Sequence, residues 1–317
     1  MIKYIIKKLL TAIGLILLIS FFTFLLMQLL PGDPARIALG DAASEEKIQE
    51  YRDSYGLNDP VLVQYWHWIS GIIFHGDFGL SVLNSRDVSA YISQRLPNSI
   101  SIGLPGLVFG VIIGLFIGIV SAVKRGGWLD QVLTLIVNLF LATPRFLTAI
   151  FGVIILALNL KLIPLQGYTA PWKDFSDYLY KAFWPIVVNA IYTVAILARQ
   201  TRSNMLEVVS QDYIRTARAY GLPEKKVIFS YALKNALIPV ITIIGLQMRN
   251  IVAGAVIIEK VFNIPGIGQL LLNGILQRDY FIVQACVLVI AAMTVFCNLF
   301  VDIAYGFIDP RIRRSMR

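Results

Sequence analysis

Cysteine and histidine are almost missing from this 317-residue chain, which has two of each. Both cysteines, Cys286 and Cys297, fall in one apolar run. On a single helix they lie too far apart along the axis to bridge, so they read as small hydrophobes rather than a redox pair. The histidines, His67 and His75, stand outside every apolar run. That excludes haem ligation by histidine and histidine catalysis within a membrane, and leaves a zinc site without its usual ligands. Charge is scarce as well. Lys, Arg, Asp and Glu make up 15% of the chain, against about 25% in soluble domains.

Apolar side chains fill the space those residues leave. With glycine counted and tyrosine left out, apolar residues are about 60% of the chain, against about 45–50% in soluble domains. A water-soluble globule cannot hide that surface, so the chain reads as an all-α integral membrane protein. About 20 consecutive apolar residues span a bilayer as a helix. Six runs meet or approach that length: 9–30, 99–123, 131–158, 182–198, 236–258 and 281–301. The first is too long for a signal peptide and no small-residue cleavage pattern follows it, so it reads as an uncleaved helix. The third is interrupted at Pro144 and Arg145, and proline kinks or breaks a helix. It reads as a kinked span. A re-entrant hairpin turning at Thr143-Pro144-Arg145 is the alternative, and would flip every later orientation.

Lys and Arg collect in cytoplasmic loops. With both termini placed inside, 16 of the 28 Lys and Arg residues fall inside and ten outside. Five of those ten sit in the 31–98 loop, where nine acids outnumber them. The net charge of +9 is therefore a topology signal, not a nucleic-acid patch.

The second run carries Gly103, Gly106, Gly110, Gly114 and Gly118, small residues at helical spacing that let another helix approach closely. Only Arg145 and Arg249 lie well inside apolar runs, with Asp302 near an end. Charge there is costly and usually functional. Arg145 and Arg249 are candidate pathway residues, and for Arg145 the alternative is a cap on the carbonyls of a broken helix. A proton-driven carrier would show more intramembrane acids, and an intramembrane protease its Asp pair or its Ser and His. The energy source is expected to lie outside this chain, which also lacks a P-loop.

Two loops carry structure of their own. In 31–98, Ser44-Glu45-Glu46 and Asp59-Pro60 read as helix starts, with Asp59 as the second cap and Pro60 the first helical residue. Val61, Gln64, Tyr65, Trp68 and Ile69 then share a face, which rests on the membrane, receives a partner or packs on the chain itself. The inside loop 199–235 holds seven basic and three acidic residues. Residues 212–220 suit a short helix, Gly221 a left-handed stop, and Pro223 the start of a second helix. Tethered at both ends, such a unit has no core of its own. It suits insertion into a groove on a cytoplasmic partner.

Here a resemblance becomes specific. Asp212-Tyr213-Ile214-Arg215-Thr216-Ala217-Arg218-Ala219-Tyr220-Gly221-Leu222, followed by Ala232-Leu233-Lys234-Asn235-Ala236-Leu237-Ile238-Pro239, resembles the coupling loop of ATP-binding-cassette (ABC) importer permeases of the dipeptide, oligopeptide and nickel branch. Arg215 stands where the wider family has Glu. Leu30-Pro31-Gly32-Asp33-Pro34, Tyr55-Gly56-Leu57, His75-Gly76-Asp77-Phe78-Gly79, Lys124-Arg125-Gly126, Ile264-Pro265-Gly266-Ile267-Gly268 and Asp309-Pro310-Arg311 extend it along the whole chain.

The resemblance implies a type I ABC importer permease with six transmembrane helices in a bacterial cell membrane. Its organisation would be an N-terminal helix 1–30, an extracytoplasmic loop 31–98, a five-helix core 99–308 and a basic cytoplasmic tail 309–317. Its partners would be a homologous second permease, two cytoplasmic ATPase subunits and an extracytoplasmic binding protein. This chain would hold no cofactor and do no catalysis, ATP and Mg being bound by the ATPases. Asp212, Tyr213, Arg215, Thr216, Ala217, Arg218, Ala219, Gly221, Leu222 and Pro223 would couple to them. The implied cargo is a peptide, with nickel, metal chelates or glutathione as the alternative. A secondary carrier or channel is the rival class, but the sequence shows no inverted repeat and no intramembrane ion ligands.

Overall fold

The computed structural model describes residues 2–29, 33–40 and 43–308. The expected tail 309–317 and the residues Leu30, Pro31 and Gly32 lie outside the described residues. What is described is nearly all helix. From the start these are α1 (Ile2–Gln28), α2 (Pro34–Leu39), α3 (Glu45–Ser54) and α4 (Val61–His75). Then come α5 (Val88–Val123), α6 (Trp128–Ala142), α7 (Arg145–Asn159) and α8 (Phe175–Val209). The last five are α9 (Asp212–Ala219), α10 (Glu224–Met248), α11 (Asn250–Phe262), α12 (Ile267–Gln277) and α13 (Tyr280–Ile308).

Five of these, α1, α5, α8, α10 and α13, are long and apolar enough to cross a bilayer. Two further pairs pass the same test only together. One is α6 with α7, bent by 104° at Pro144, and the other α11 with α12, bent by 73°.

The glycine row fixes how the bundle is laid out. A Cβ added to Gly106, Gly110, Gly114 or Gly118 would meet Asn189, Thr193, Leu197 or Thr201 of α8 at 2.6–2.9 Å. Each step of four along α5 is matched by a step of four along α8, in the same direction. The two helices are therefore parallel and in van der Waals contact through the missing side chains. Parallel neighbours that both span a membrane require the chain to recross it between them. The α6–α7 pair must supply that crossing despite its bend. A re-entrant hairpin at Thr143-Pro144-Arg145 would have left α5 and α8 antiparallel.

The N-terminal helix α1 runs antiparallel along α13. Lys8 Nζ pairs with Asp302 Oδ2 at 2.7 Å at one end. Met27 packs with Tyr280 and Val283 at the other. One core joins the starts of α5 and α13 to α11 and α12 through Val88, Ile92, Ile251, Ile267, Ile282 and Cys286. The core at the opposite end joins the ends of α5 and α8 to α9 and α10 through Ala122, Met205, Ile214, Ala217, Val227 and Ala236. The Lys8 end of α1, the end of α13 and α9 thus share one face.

Several expected boundaries move. The second and fourth runs are cores of longer helices: α5 starts at Val88 and passes Pro97 before the run begins, and α8 extends from Phe175 to Val209 with Pro185 inside the run itself. The fifth run, 236–258, is not one helix: α10 begins earlier, at Glu224, and stops at Met248, and α11 starts after Arg249. Pro60 and Pro223 are the N-caps themselves rather than the first helical residues. In the 31–98 loop, Tyr65, Trp68 and Ile69 pack against Ser20, Phe24 and Leu288. Leu62, Trp66, Ile73 and Phe74 on the other side of α4 remain exposed.

Candidate functional site

The short helix α9 is anchored by two residues and presents the rest. Ile214 and Ala217, three apart, are buried against Met205, Val227, Ile228 and Ala232. Asp212, Tyr213, Arg215, Thr216, Arg218, Ala219 and Tyr220 face outward, Tyr220 with 81% of its surface exposed. Tyr220 ends the helix and Gly221 follows at φ +76°, the left-handed region that a residue with a Cβ enters at a cost. Its N–H reaches Arg218 O at 2.9 Å, and the N–H of half-buried Leu222 reaches Ala217 O at 3.4 Å. Exposed Pro223 then caps the next helix.

A salt bridge closes the turn: Arg218 Nη2 and Nε donate to Glu224 Oε1 and Oε2 at 2.6 and 3.1 Å. Those hydrogen bonds hold the Arg218 guanidinium above its ordinary pKa. Asn235 Nδ2 donates to Tyr213 Oη at 2.9 Å. Of the ten residues singled out in the sequence for this loop, Ala217 and half-buried Leu222 serve the inner packing. The exposed set forms a basic and aromatic knob, rigid because both its ends are tied to the bundle.

The strut that carries α9 was not legible in the sequence. Asp130, at the start of α6, is 3% exposed and accepts from Arg202 Nε and Nη2 of α8 at 2.7 and 2.8 Å. Ser121 Oγ, Thr134 Oγ1 and the Gly126 N–H complete its shell. The Lys124-Arg125-Gly126 turn is thereby locked to α8 one helical stretch before α9.

Arg145 and Arg249, the two charges within apolar runs, are brought together. Both line a cavity of about 680 Å³ with Tyr192, Gln247, Asn250 and Gly254. The Arg145 guanidinium lies over the Tyr192 ring, 4.3 Å from its centroid. Among the described residues Arg145 makes no hydrogen bond or ion pair, so the capping role considered for it has no counterpart in the geometry. Tyr192 stands at the middle of α8, which puts the cavity half-way through the bundle.

At the end of the bundle away from α9, Glu259 is fully buried and acts as an internal helix cap. Its carboxylate accepts from Ser99 Oγ at 2.6 Å and from the Gln269 N–H at 2.9 Å. Ser99 Oγ in turn accepts from the Ile267 N–H at 2.8 Å. The Pro265-Gly266-Ile267-Gly268 segment is explained by this cap, because a Cβ on Gly266 would lie 2.3 Å from the Glu259 carboxylate.

With this geometry in place, comparison with known proteins gives a consistent picture. Residues 110–314 match the family model described as binding-protein-dependent transport system inner membrane component, and residues 1–103 match its N-terminal counterpart. A probable peptide ABC transporter permease protein of Sinorhizobium fredii is 37% identical over 310 residues, covering 98% of this chain and 99% of that protein. An oligopeptide transport system permease protein of Bacillus subtilis is 37% identical over 315 residues, 98% and 99% of the two chains. A glutathione transport system permease protein of Shigella flexneri is 36% identical over 313 residues, 99% of each. Among solved structures, an inward-facing MetNI methionine ABC transporter superposes with a TM-score of 0.57 at 16% identity. That superposition covers 69% of this chain and 97% of the other, and at that identity it speaks for the fold alone.

Proposed function

This chain belongs to the family of binding-protein-dependent transport system inner membrane components, and from that membership we propose that it is the permease subunit of a peptide importer. It is a multi-pass protein of the bacterial cell membrane and not an enzyme. Its relatives named for peptide, oligopeptide and glutathione transport, each aligned over nearly the whole chain, favour a short peptide as cargo. Nickel or a metal chelate is the alternative.

The observation that carries the mechanism is α9. A short basic and aromatic helix, pinned by Ile214 and Ala217 and exposed everywhere else, is suited to sit in a groove of an ATPase subunit. ATP and Mg belong to two such subunits. A homologous second permease completes the pathway, with Arg145 and Arg249 on this chain's half, and an extracytoplasmic binding protein delivers the peptide. Six crossings with both termini in the cytoplasm fit the parallel register of α5 and α8, the Lys8–Asp302 contact and the basic residues of the α9 face.

The test is reconstitution of this chain and its second permease in vesicles, with and without the ATPases and the binding protein. Peptide uptake is expected only with all components and ATP. Uptake without the ATPases would make this chain a carrier or channel.

A further inference from the structure

Two arginines, half-buried Arg145 and exposed Arg249, line one cavity half-way through the bundle, and no acid stands among its lining residues. Each stands at a helix break: Arg145 is the first residue of α7 after Pro144, and Arg249 lies where α10 gives way to α11. The two breaks bring residues distant in sequence into one cavity of about 680 Å³. Much of its wall is apolar, with Ile196, Val256 and Ile257. Its two amide side chains are engaged with each other, Asn250 Nδ2 donating to Gln247 Oε1 at 2.6 Å. Neither arginine has an ion-pair partner among the described residues. The Tyr192 face offers Arg145 a cation–π contact, which leaves the N–H donors of the guanidinium edge free.

Arginine does not lose its proton in proteins. A charge at this depth must face water, protein or a cavity rather than lipid. Two unpaired guanidinium forks around one cavity are the donor set for a bidentate anion, and a carboxylate matches that fork in shape and charge. From this we infer that the cavity is a way-station for the C-terminal carboxylate of a peptide in transit. The inference rests on the reading of this chain as a peptide permease. The station would replace the water stripped from the carboxylate as the peptide enters the narrow part of the pathway. It reads only the carboxylate and the backbone end, so it tolerates any side chain.

The test uses the reconstituted importer with trialanine and trialanine amide. Both are supplied at concentrations that saturate the binding protein, with occupancy measured separately. Arg145→Gln combined with Arg249→Gln is expected to slow trialanine uptake about tenfold or more and to change trialanine amide uptake less than twofold. Equal loss for both peptides, or loss for neither, overturns the inference. A fall in co-purified second permease would overturn it too, by showing that the arginines pair with an acid of that subunit. Should the binding protein refuse the amide, phenylglyoxal labelling of the wild-type complex, read by mass mapping, gives a second readout. Trialanine should protect Arg145 and Arg249 where trialanine amide does not, and absence of that difference overturns the inference. If wild-type vesicles take up neither peptide, it is the peptide-importer reading that has failed.

Discussion

Arg202 and Asp130 form a two-pronged ion pair across the α6–α8 contact, Nε to Oδ1 at 2.7 Å and Nη2 to Oδ2 at 2.8 Å. Arg202 is seven residues from the end of α8, and α9 hangs from that end. This stretch of helix is one of the two routes by which a displacement of α9 reaches the bundle, the other being α10 through Arg218–Glu224 and Tyr213–Asn235. The pair holds the stretch against α6 and the Gly126 turn, so the inner ends of three helices move as one piece.

Removing one partner leaves the other unpaired in a buried setting. Arg202→Gln is expected to cost about 2–3 kcal/mol, below the 3–5 typical of a fully buried pair because Arg202 is partly exposed. Asp130→Asn should cost a similar amount. The double variant should cost less than the sum, since it leaves no orphan charge. Thermal melting of the purified permease measures all three. Strict additivity would mean that the pair is not coupled.

The glycine row makes a second prediction. A Cβ on Gly118 would lie 2.6 Å from Thr201 Cβ and 2.7 Å from Ala198 O. Nothing lies within 4 Å of one on Gly14 in α1. Gly118→Leu should therefore force α5 and α8 apart at a cost of about 1–3 kcal/mol or more, while Gly14→Leu adds an apolar side chain to an open face. Folded yield and melting temperature should fall for the first and hold for the second. Equal behaviour would remove close packing as the reason for the row.

Some of this was readable from the sequence because the signal was local. Small residues every fourth position in an uncharged run already describe a contact face, and Gly221 after an eight-residue amphipathic stretch already describes a helix end. Pro144 announced a break, though not an angle of 104°. The break at Arg249 was not announced. Pro239 inside α10 is tolerated, while the helix stops at Met248, where neither proline nor glycine marks the position. Asp130 and Glu259 were invisible too. Their partners Arg202 and Ser99 lie 72 and 160 residues away, and nothing local marks a carboxylate as buried.

Orientation can be checked chemically. In a background with Cys286 and Cys297 replaced by Ala, Ser44→Cys should react with an impermeant thiol reagent added to spheroplasts. Ser230→Cys should react only after permeabilisation. Both serines are exposed, so access rather than burial sets the result. Ser81 would be a poor reporter, being 2% exposed with its Oγ donating to Asp279 at 2.5 Å. Labelling of Ser230→Cys in intact spheroplasts would reverse the topology.

The last prediction isolates the α9 turn. Gly221 has φ +76° and no atom lies within 4 Å of where its Cβ would stand, so a side chain there meets backbone strain but no clash. A β-branched residue in the left-handed region costs about 1–2 kcal/mol, which a bundle of this size can absorb. The strained turn relaxes by rotating φ, and that rotation redirects α9 relative to the Arg218–Glu224 clamp. Docking into a preformed groove tolerates far less displacement than folding does. Gly221→Val should accordingly insert and pair with the second permease, yet recover little ATPase on co-purification or show no peptide-stimulated ATP turnover. A matched control sits on the opposite face. Gly76 closes α4 at φ +66° with equally open space, so Gly76→Val carries the same backbone penalty far from α9. Gly79 would not serve, because its Cβ would lie 3.0 Å from the Phe281 ring. If Gly221→Val and Gly76→Val lose coupling to the same degree, the effect is general destabilisation. If Gly221→Val supports normal stimulated turnover and uptake, α9 is an ordinary surface turn and the ATPases grip this chain elsewhere.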